Sequence, residues 1–370
     1  MVSYSGCHRL EHLLAHIGLA TPCVQRSCRP VILAGRRVTR LTIILLLLGA
    51  AVLVGLVIHI GPDALVQELH HLGFNVVWVL LASVVVYVLD AFGWRATLGR
   101  HAARIRFGRL FLTRMAGEAV NFTTPAAYLG GEPMKAYMLS RHGVPLIDGL
   151  ASVVTAKTMM TLAQVLFILL GIGLGARLLN RSEDFLLTGA LGLLLLGFGI
   201  GLFIVIQRRG LFVGTLRLLE RLKLNIPWLK KREHRLRDLD DAIWAFYARD
   251  RRGFFLSFLF FFAGWVAGAL EVYLILYFLG LPVDVLTALS MEALAVFVKG
   301  GTAFIPGSVG GQEVGTVLLF VAFGFTQASG ITFAILRRIR EVFWIAVGLL
   351  ALAAQNRLPA EADPCGRPPG

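Results

Sequence analysis

Charge is scarce in this sequence: Asp, Glu, Lys and Arg make up 16% of it, against 57% hydrophobic residues, and the mean hydropathy is +0.74. A soluble domain of 370 residues would carry far more polar surface, so that class is excluded and a polytopic membrane protein is expected. Acidic residues are scarcer still, 22 against 36 Lys and Arg. The basic excess falls between apolar runs, where Lys and Arg retained in cytoplasmic loops explain it without a nucleic-acid partner. Cysteine is rare as well. Cys7, Cys23, Cys28 and Cys365 all lie near the chain ends with no CxxC or Cys/His ligand spacing, so neither a disulfide framework nor a zinc site is expected. His8, His12 and His16 share one helical face in the first segment, which reads as a mildly amphipathic or disordered extension rather than a metal site. HExxH, Walker A and GxGxxG motifs are absent. GSVG at Gly307–Gly310 is not the GxSG of an intramembrane serine protease, and no histidine follows His234 to act as a base on a later helix. The chain is therefore expected to be no enzyme and to need no cofactor or metal.

What is there instead is a short Pro/Gly/Glu element that occurs twice within hydrophobic sequence, NFTTPAAYLGGE (Asn121–Glu132) and TAFIPGSVGGQE (Thr302–Glu313). Aligned without a gap, the copies match Pro125 with Pro306, Gly130 with Gly311, and Glu132 with Glu313. Proline removes a backbone donor, glycine permits non-helical angles and a carboxylate is costly in lipid, so none of the three suits an ordinary span.

Apolar runs long enough to span occur at about 41–60, 76–98, 150–175, 185–206, 254–280 and 331–354. The two interrupted segments, 111–139 and 285–325, read as re-entrant hairpins of two half-helices. The expected architecture is thus all-α, with about six full transmembrane helices and two broken-helix hairpins. Residues 1–40 read as an N-terminal extension, 41–355 as the membrane domain and 356–370 as a tail. The stretch from Arg208 to Arg252 holds thirteen Lys and Arg and two amphipathic patterns, Leu211/Leu218/Leu222 and Leu236/Leu239/Ile243/Phe246, as cytoplasmic helices at a membrane surface would. Placing this stretch and the Arg100–Arg109 loop inside makes the two hairpins enter from opposite faces, the inverted-repeat arrangement of secondary transporters.

The candidate binding residues cluster around the breaks: Glu118, Asn121, Pro125, Gly130, Gly131 and Glu132 in the first, Lys299, Pro306, Gly310, Gly311 and Glu313 in the second. Opened half-helix ends expose backbone groups that hold an anion such as a phosphate head group; alternatively the glutamates simply cap the returning half-helices. Ionisable residues inside spans add Asp90, Arg95, Lys157 and Glu271, and above all Arg337, Arg338, Arg340 and Glu341 in the last helix. Arg337 or Arg340 is expected to neutralise Glu132 or Glu313, or to hold a phosphate. Arg95 and Lys157 are expected to snorkel towards the cytoplasmic face. Gly197/Gly201 and Gly264/Gly268 have the GxxxG spacing of close helix packing.

At GEAVNFTTPAAYLGGEPMKAYMLSRHG (Gly117–Gly143) and KGGTAFIPGSVGGQE (Lys299–Glu313), followed by the LRRIRE helix, the chain resembles the flippase-like family, also called the lysylphosphatidylglycerol synthase transmembrane region, over about residues 40–355. The resemblance implies a multi-pass protein of the bacterial inner membrane that moves or handles a lipid, with hopanoid lipids the cargo of one branch. It maps the family's motif positions onto Asn121, Pro125, Gly130, Gly131, Glu132, Pro306, Gly307, Gly310, Gly311 and Glu313, with an arginine at Arg337, Arg338 or Arg340. Only about 16 residues follow the last span, where the family's lipid synthases carry a soluble transferase domain, so lipid aminoacylation is not expected. The expected partners are a membrane lipid, the bilayer and enzymes of lipid biosynthesis. Two alternatives stay open: a non-transporting accessory subunit of such enzymes, and a secondary transporter of a polar solute.

Overall fold

The computed structural model describes residues 73–123, 130–178, 233–281, 283–301 and 310–357, with isolated positions at 47, 58, 63, 70, 194, 197, 201, 205, 210 and 214. The chain divides into two compact units, 1–47 and 48–370, and the architecture below is that of the second. The extension at 1–40, most of the spans at 41–60 and 185–206, the Leu211/Leu218/Leu222 pattern, Pro125, Pro306, Gly307 and most of the tail lie outside the described residues.

Among the described residues every regular element is a helix, as an all-α polytopic membrane protein requires. In hydrocarbon each backbone N–H and C=O must be satisfied by the protein itself, which only a helix or a closed barrel achieves. In chain order the helices are α1 (Val76–Thr97), α2 (Phe107–Thr123), α3 (Gly131–Ser140), α4 (Leu146–Leu178), α5 (Glu233–Arg249), α6 (Arg251–Phe278), α7 (Val285–Gly301), α8 (Gly311–Ala322) and α9 (Gln327–Arg357). Segments Gly73–Thr97, Leu146–Gly175 and Arg251–Phe278 are long and apolar enough to cross a bilayer. At 31 residues α9 is long enough too, but it carries Arg337, Arg338, Arg340 and Glu341 in its middle and so needs protein around it.

Contacts sort the helix ends into two groups. At one end the loop after α1 meets the start of α4, with Arg104 donating to the Gly143 carbonyl at 3.3 Å and His101 lying 3.1 Å from Asp148. The end of α9 joins them, because Gln355 accepts from Thr113 near the start of α2 and from Arg141 just after α3. Asp250 separates α5 from α6 here by accepting from the Gly253 N–H at 2.8 Å, an N-cap that ends one helix and starts the next. The other end is an apolar cluster in which Val79 of α1, Ile275 and Leu276 of α6, Ala288 and Met291 of α7, Phe320 of α8 and Phe333 of α9 pack together.

It follows that α2 and α3 start and finish at the first, arginine-rich end, whereas α7 and α8 start and finish at the second. The two hairpins therefore enter the bundle from opposite ends. Their inner ends meet, since Lys299 Nζ of α7 sits 5.4 Å from the ring centroid of Phe122 in α2.

Helix α5 differs from the sequence expectation. Its apolar face, Leu239, Ile243 and Phe246, is buried, and Leu239 and Ile243 pack on Ile147, Ala151 and Val154 of α4. Protein covers the face that the pattern alone assigned to a membrane surface; an amphipathic stripe fits either partner.

Candidate functional site

The first hairpin closes because Gly131 has no side chain. A Cβ there would lie 1.9 Å from the Gly117 carbonyl oxygen, so any other residue would force α2 and α3 apart. Asn121 joins the two half-helices: its Oδ1 accepts from the Gly131 N–H at 2.7 Å and its Nδ2 donates to Glu132 Oε1 at 3.1 Å. The free N–H at the start of α3 is thus satisfied by Asn121, with Glu132 turned away to Lys135, whose Nζ donates to both its oxygens at 3.2 and 3.3 Å. Lys135 also donates to Glu118 at 2.7 Å. Glu118 lies 3.5 Å from Arg114 one turn earlier on α2, and Arg114 pairs with the buried Asp90 of α1.

Several of these residues line a small cavity of about 20 Å³, whose lining combines the charged side chains of Arg114, Glu118, Glu132, Lys135 and Lys157 with Trp94, Val153, Ala156, Met160 and Phe261. Lys157 reaches this space from α4 about three turns in from the arginine-rich end, which corrects the snorkelling expectation; Arg95 does stay at that end, donating to the Ala102 carbonyl at 3.4 Å. Asp90, Glu118 and Glu132 face Arg114, Lys135 and Lys157, so the formal charges cancel.

The second hairpin is built differently. Gly310 stands at φ +81° and begins α8 from a conformation that side-chain-bearing residues avoid, whereas Gly130, which begins α3, is helical at φ −65°. The backbone freedom expected of Gly130 is therefore not used there; in the first copy the demand for glycine is steric and falls on Gly131. Glu313 leaves its own hairpin and accepts from Arg338 Nε of α9 at 2.6 Å. Arg338 also donates to Glu341 at 2.7 Å, and Glu341 receives Lys299 of α7 at 2.8 Å.

Three residues apart on α9, Arg337 and Arg340 share a face turned the other way. Arg337 pairs with Glu292 of α7, Arg340 with Glu271 of α6, and Arg337 Nε stands 3.8 Å from Glu271. The expectation that Arg337 or Arg340 neutralises Glu132 or Glu313 is thus corrected. Helix phase gives Glu313 to Arg338, and Glu132 is held within its own hairpin. Glu271, Glu292, Glu313 and Glu341 face Lys299, Arg337, Arg338 and Arg340, and the charges cancel again. Buried atoms remain without a hydrogen bond among the described residues, including Glu271 Oε1, Glu313 Oε2 and the Nε of Arg337 and Arg340.

One glycine ridge on α6 separates the two clusters. A Cβ on Gly264 would lie 2.9 Å from Asp90 Oδ1 of the first, and one on Gly268 would lie 3.0 Å from Glu292 Oε1 of the second. The spacing read as close helix packing therefore makes room for two carboxylates. Of the candidate residues, Glu118, Asn121, Gly131, Glu132 and Lys157 gather in the first cluster, and Glu271, Lys299, Glu313, Arg337, Arg338 and Arg340 in the second. Gly130, Gly310 and Gly311 lie at the starts of the returning half-helices. Arg114 was missed by the sequence reading, though an arginine inside an interrupted apolar segment, four residues before Glu118, was signal enough.

Comparison with known proteins places this geometry in context. A family described as "Lysylphosphatidylglycerol synthase TM region" matches residues 41–348. A protein described as a UPF0104 membrane protein, from Methanothermobacter thermautotrophicus strain Delta H, is 24% identical over 334 residues, covering 84% of this chain and 94% of that protein.

Proposed function

Because the chain belongs to the lysylphosphatidylglycerol synthase TM-region family, we propose that it is a lipid translocase, which carries the head group of an amphipathic lipid between its two hairpins while the tails stay in the bilayer. The observation that supports this reading best is the meeting of two hairpins from opposite ends at a buried layer of ion pairs. Broken helices that enter from both sides and converge at mid-depth are the means by which a protein opens one central site to either face in turn. The first cavity has the matching chemistry, since charged and apolar side chains line it together. At about 20 Å³ it holds roughly one water, so a head group enters only when the hairpins part.

The balanced charges narrow the cargo. An anionic head group would leave each cluster with uncompensated charge in a low-dielectric interior, whereas a zwitterionic or uncharged polar one re-pairs with groups already present. The unsatisfied atoms of the second cluster offer hydrogen bonds for such exchange. A hopanoid with a polar head falls in this class, and the bacterial inner membrane is the compartment this reading implies.

Purified protein in liposomes, with fluorescent zwitterionic and anionic lipids, tests the proposal. Transbilayer movement of the zwitterionic probe should exceed that of protein-free liposomes and fall about tenfold or more in Glu132→Gln and Glu313→Gln, each of which removes a charge-assisted hydrogen bond. Folded protein that moves no labelled lipid would defeat the translocase reading and leave the accessory role in lipid biosynthesis and the transport of a polar solute.

A further inference from the structure

Opposite charges in a buried layer are expected to touch, because a charge held apart from its partner in a low-dielectric interior stays poorly compensated. The second cluster obeys this: Lys299 meets Glu341, Arg337 meets Glu292, Arg338 meets Glu313 and Arg340 meets Glu271. In the first cluster Arg114 meets Asp90, and Lys135 meets Glu118 and Glu132. Lys157 is the exception. It is half-buried, it lines the same cavity as Glu118 and Glu132, and its charge acts on Glu118 through space. Among the described residues, however, its ammonium makes no hydrogen bond and no ion pair.

The charged partners of Asp90, Glu118 and Glu132 are thus Arg114 and Lys135 alone. That bonded part of the cluster carries one negative charge in excess, which Lys157 balances without touching it. A negative group and a positive group that line one cavity and stay apart are the complement of a dipole. A ligand with one charge of each sign joins both and leaves the layer neutral. An anion alone would satisfy Lys157 and leave the excess on the carboxylates; a cation alone would do the reverse.

Lys135 shows what the acidic side accepts. Its stem crosses α2 at Gly117, where a Cβ would lie 2.3 Å from Lys135 Cγ and 2.4 Å from its Cε. It delivers Nζ to Glu118 at 2.7 Å and to the two oxygens of Glu132 at 3.2 and 3.3 Å. The carboxylates are therefore placed to receive the N–H groups of a primary ammonium. The bonds to Glu132 are the longer and weaker ones, so Glu132 exchanges Lys135 for another ammonium more readily than Glu118 does. A quaternary ammonium has no N–H and would leave the Glu132 oxygens underbonded. Trp94 and Phe261 in the lining argue the other way, since aromatic faces suit a quaternary cation, and the experiment below separates the two.

We propose that Lys157 and Glu132 select the cargo as a lipid whose head group carries a phosphate, taken by Lys157, and a primary ammonium, taken by Glu132, with zero net charge. The proposal rests on the translocase reading for the parting of the hairpins that admits the head group, and it names a cargo which that reading leaves open.

The test titrates the full chain in detergent with phosphatidylethanolamine, phosphatidylcholine and phosphatidylglycerol of the same acyl chains, reading binding as the rise in melting temperature over the same protein without lipid. Phosphatidylethanolamine should bind about tenfold or more tighter than either of the others. Lys157→Met should weaken phosphatidylethanolamine binding about tenfold or more, whereas Arg95→Gln, which removes a cation that does not line the cavity, should leave it unchanged. Lys157→Gln is the milder variant, and the comparison of lipids on the unaltered chain decides selectivity whether or not either variant folds. Equal affinity for phosphatidylethanolamine and phosphatidylcholine, or an unaltered affinity in folded Lys157→Met, would overturn the proposal. Liposomes in which lipids move without head-group selectivity would keep the translocase and remove this inference. Selective binding by a protein that moves no lipid would keep the site and remove the translocase.

Discussion

Arg114 and Asp90 illustrate how a single residue is held in this protein. Both are buried, and their pairing is what makes either charge tolerable in the interior. Arg114→Gln should destabilise the protein by about 3–5 kcal/mol in detergent unfolding, because it strands the Asp90 carboxylate. Asp90→Asn/Arg114→Gln should recover a large part of that loss, since neither charge then remains uncompensated. A double variant no better than the single one would show that Arg114 acts through other contacts, with Glu118 foremost. The residue types of the site were legible in the sequence, because a carboxylate or guanidinium within an apolar run is conspicuous. The partners were not. Glu132, Lys135 and Asn121 meet within one hairpin, but Glu313 meets Arg338 and Glu292 meets Arg337 across tens of residues of chain, and nothing local to either member specifies the other.

At the scale of elements, the two hairpins achieve the same reversal by different means, although their motifs align. Gly131 is required for space and Gly310 for backbone angle. Gly131→Ala should therefore cost about 3 kcal/mol, at the top of the usual overpacking range, because its Cβ meets a backbone carbonyl that has nowhere to move. Gly310→Ala should cost only about 1–2 kcal/mol, the penalty of a left-handed conformation, since a Cβ there meets nothing within 4 Å. Thermal unfolding of the two variants side by side checks the order, and a larger loss at Gly310 would contradict it. The existence and approximate limits of the interrupted segments could be read from proline, glycine and charge. Which glycine does what could not, because helix start and close approach are set by the partner helix: α3 against α2 in one case, α8 emerging from a turn in the other.

For the molecule as a whole, the decisive property is that one hairpin opens to each end. In a chain whose four native cysteines are replaced, Pro145→Cys should react with an impermeant thiol reagent only from the cytoplasmic side and Val285→Cys only from the opposite side. Labelling of both from one side would contradict the opposed arrangement. Composition and the long apolar runs determined that the chain lives in a membrane as a bundle of helices, since runs of about twenty apolar residues match a spanning helix and exceed a barrel strand. The spacing of the doubled motif determined that two of its segments break, because proline, glycine and glutamate each resist a continuous span. Only the tertiary structure decided that the broken ends meet at Phe122 and Lys299, that Arg337, Arg338 and Arg340 separate towards different helices, and that Gly264 and Gly268 make room for a carboxylate from each cluster. Those outcomes depend on helix phase and on which surfaces face each other, and a linear sequence carries the first only locally and the second not at all.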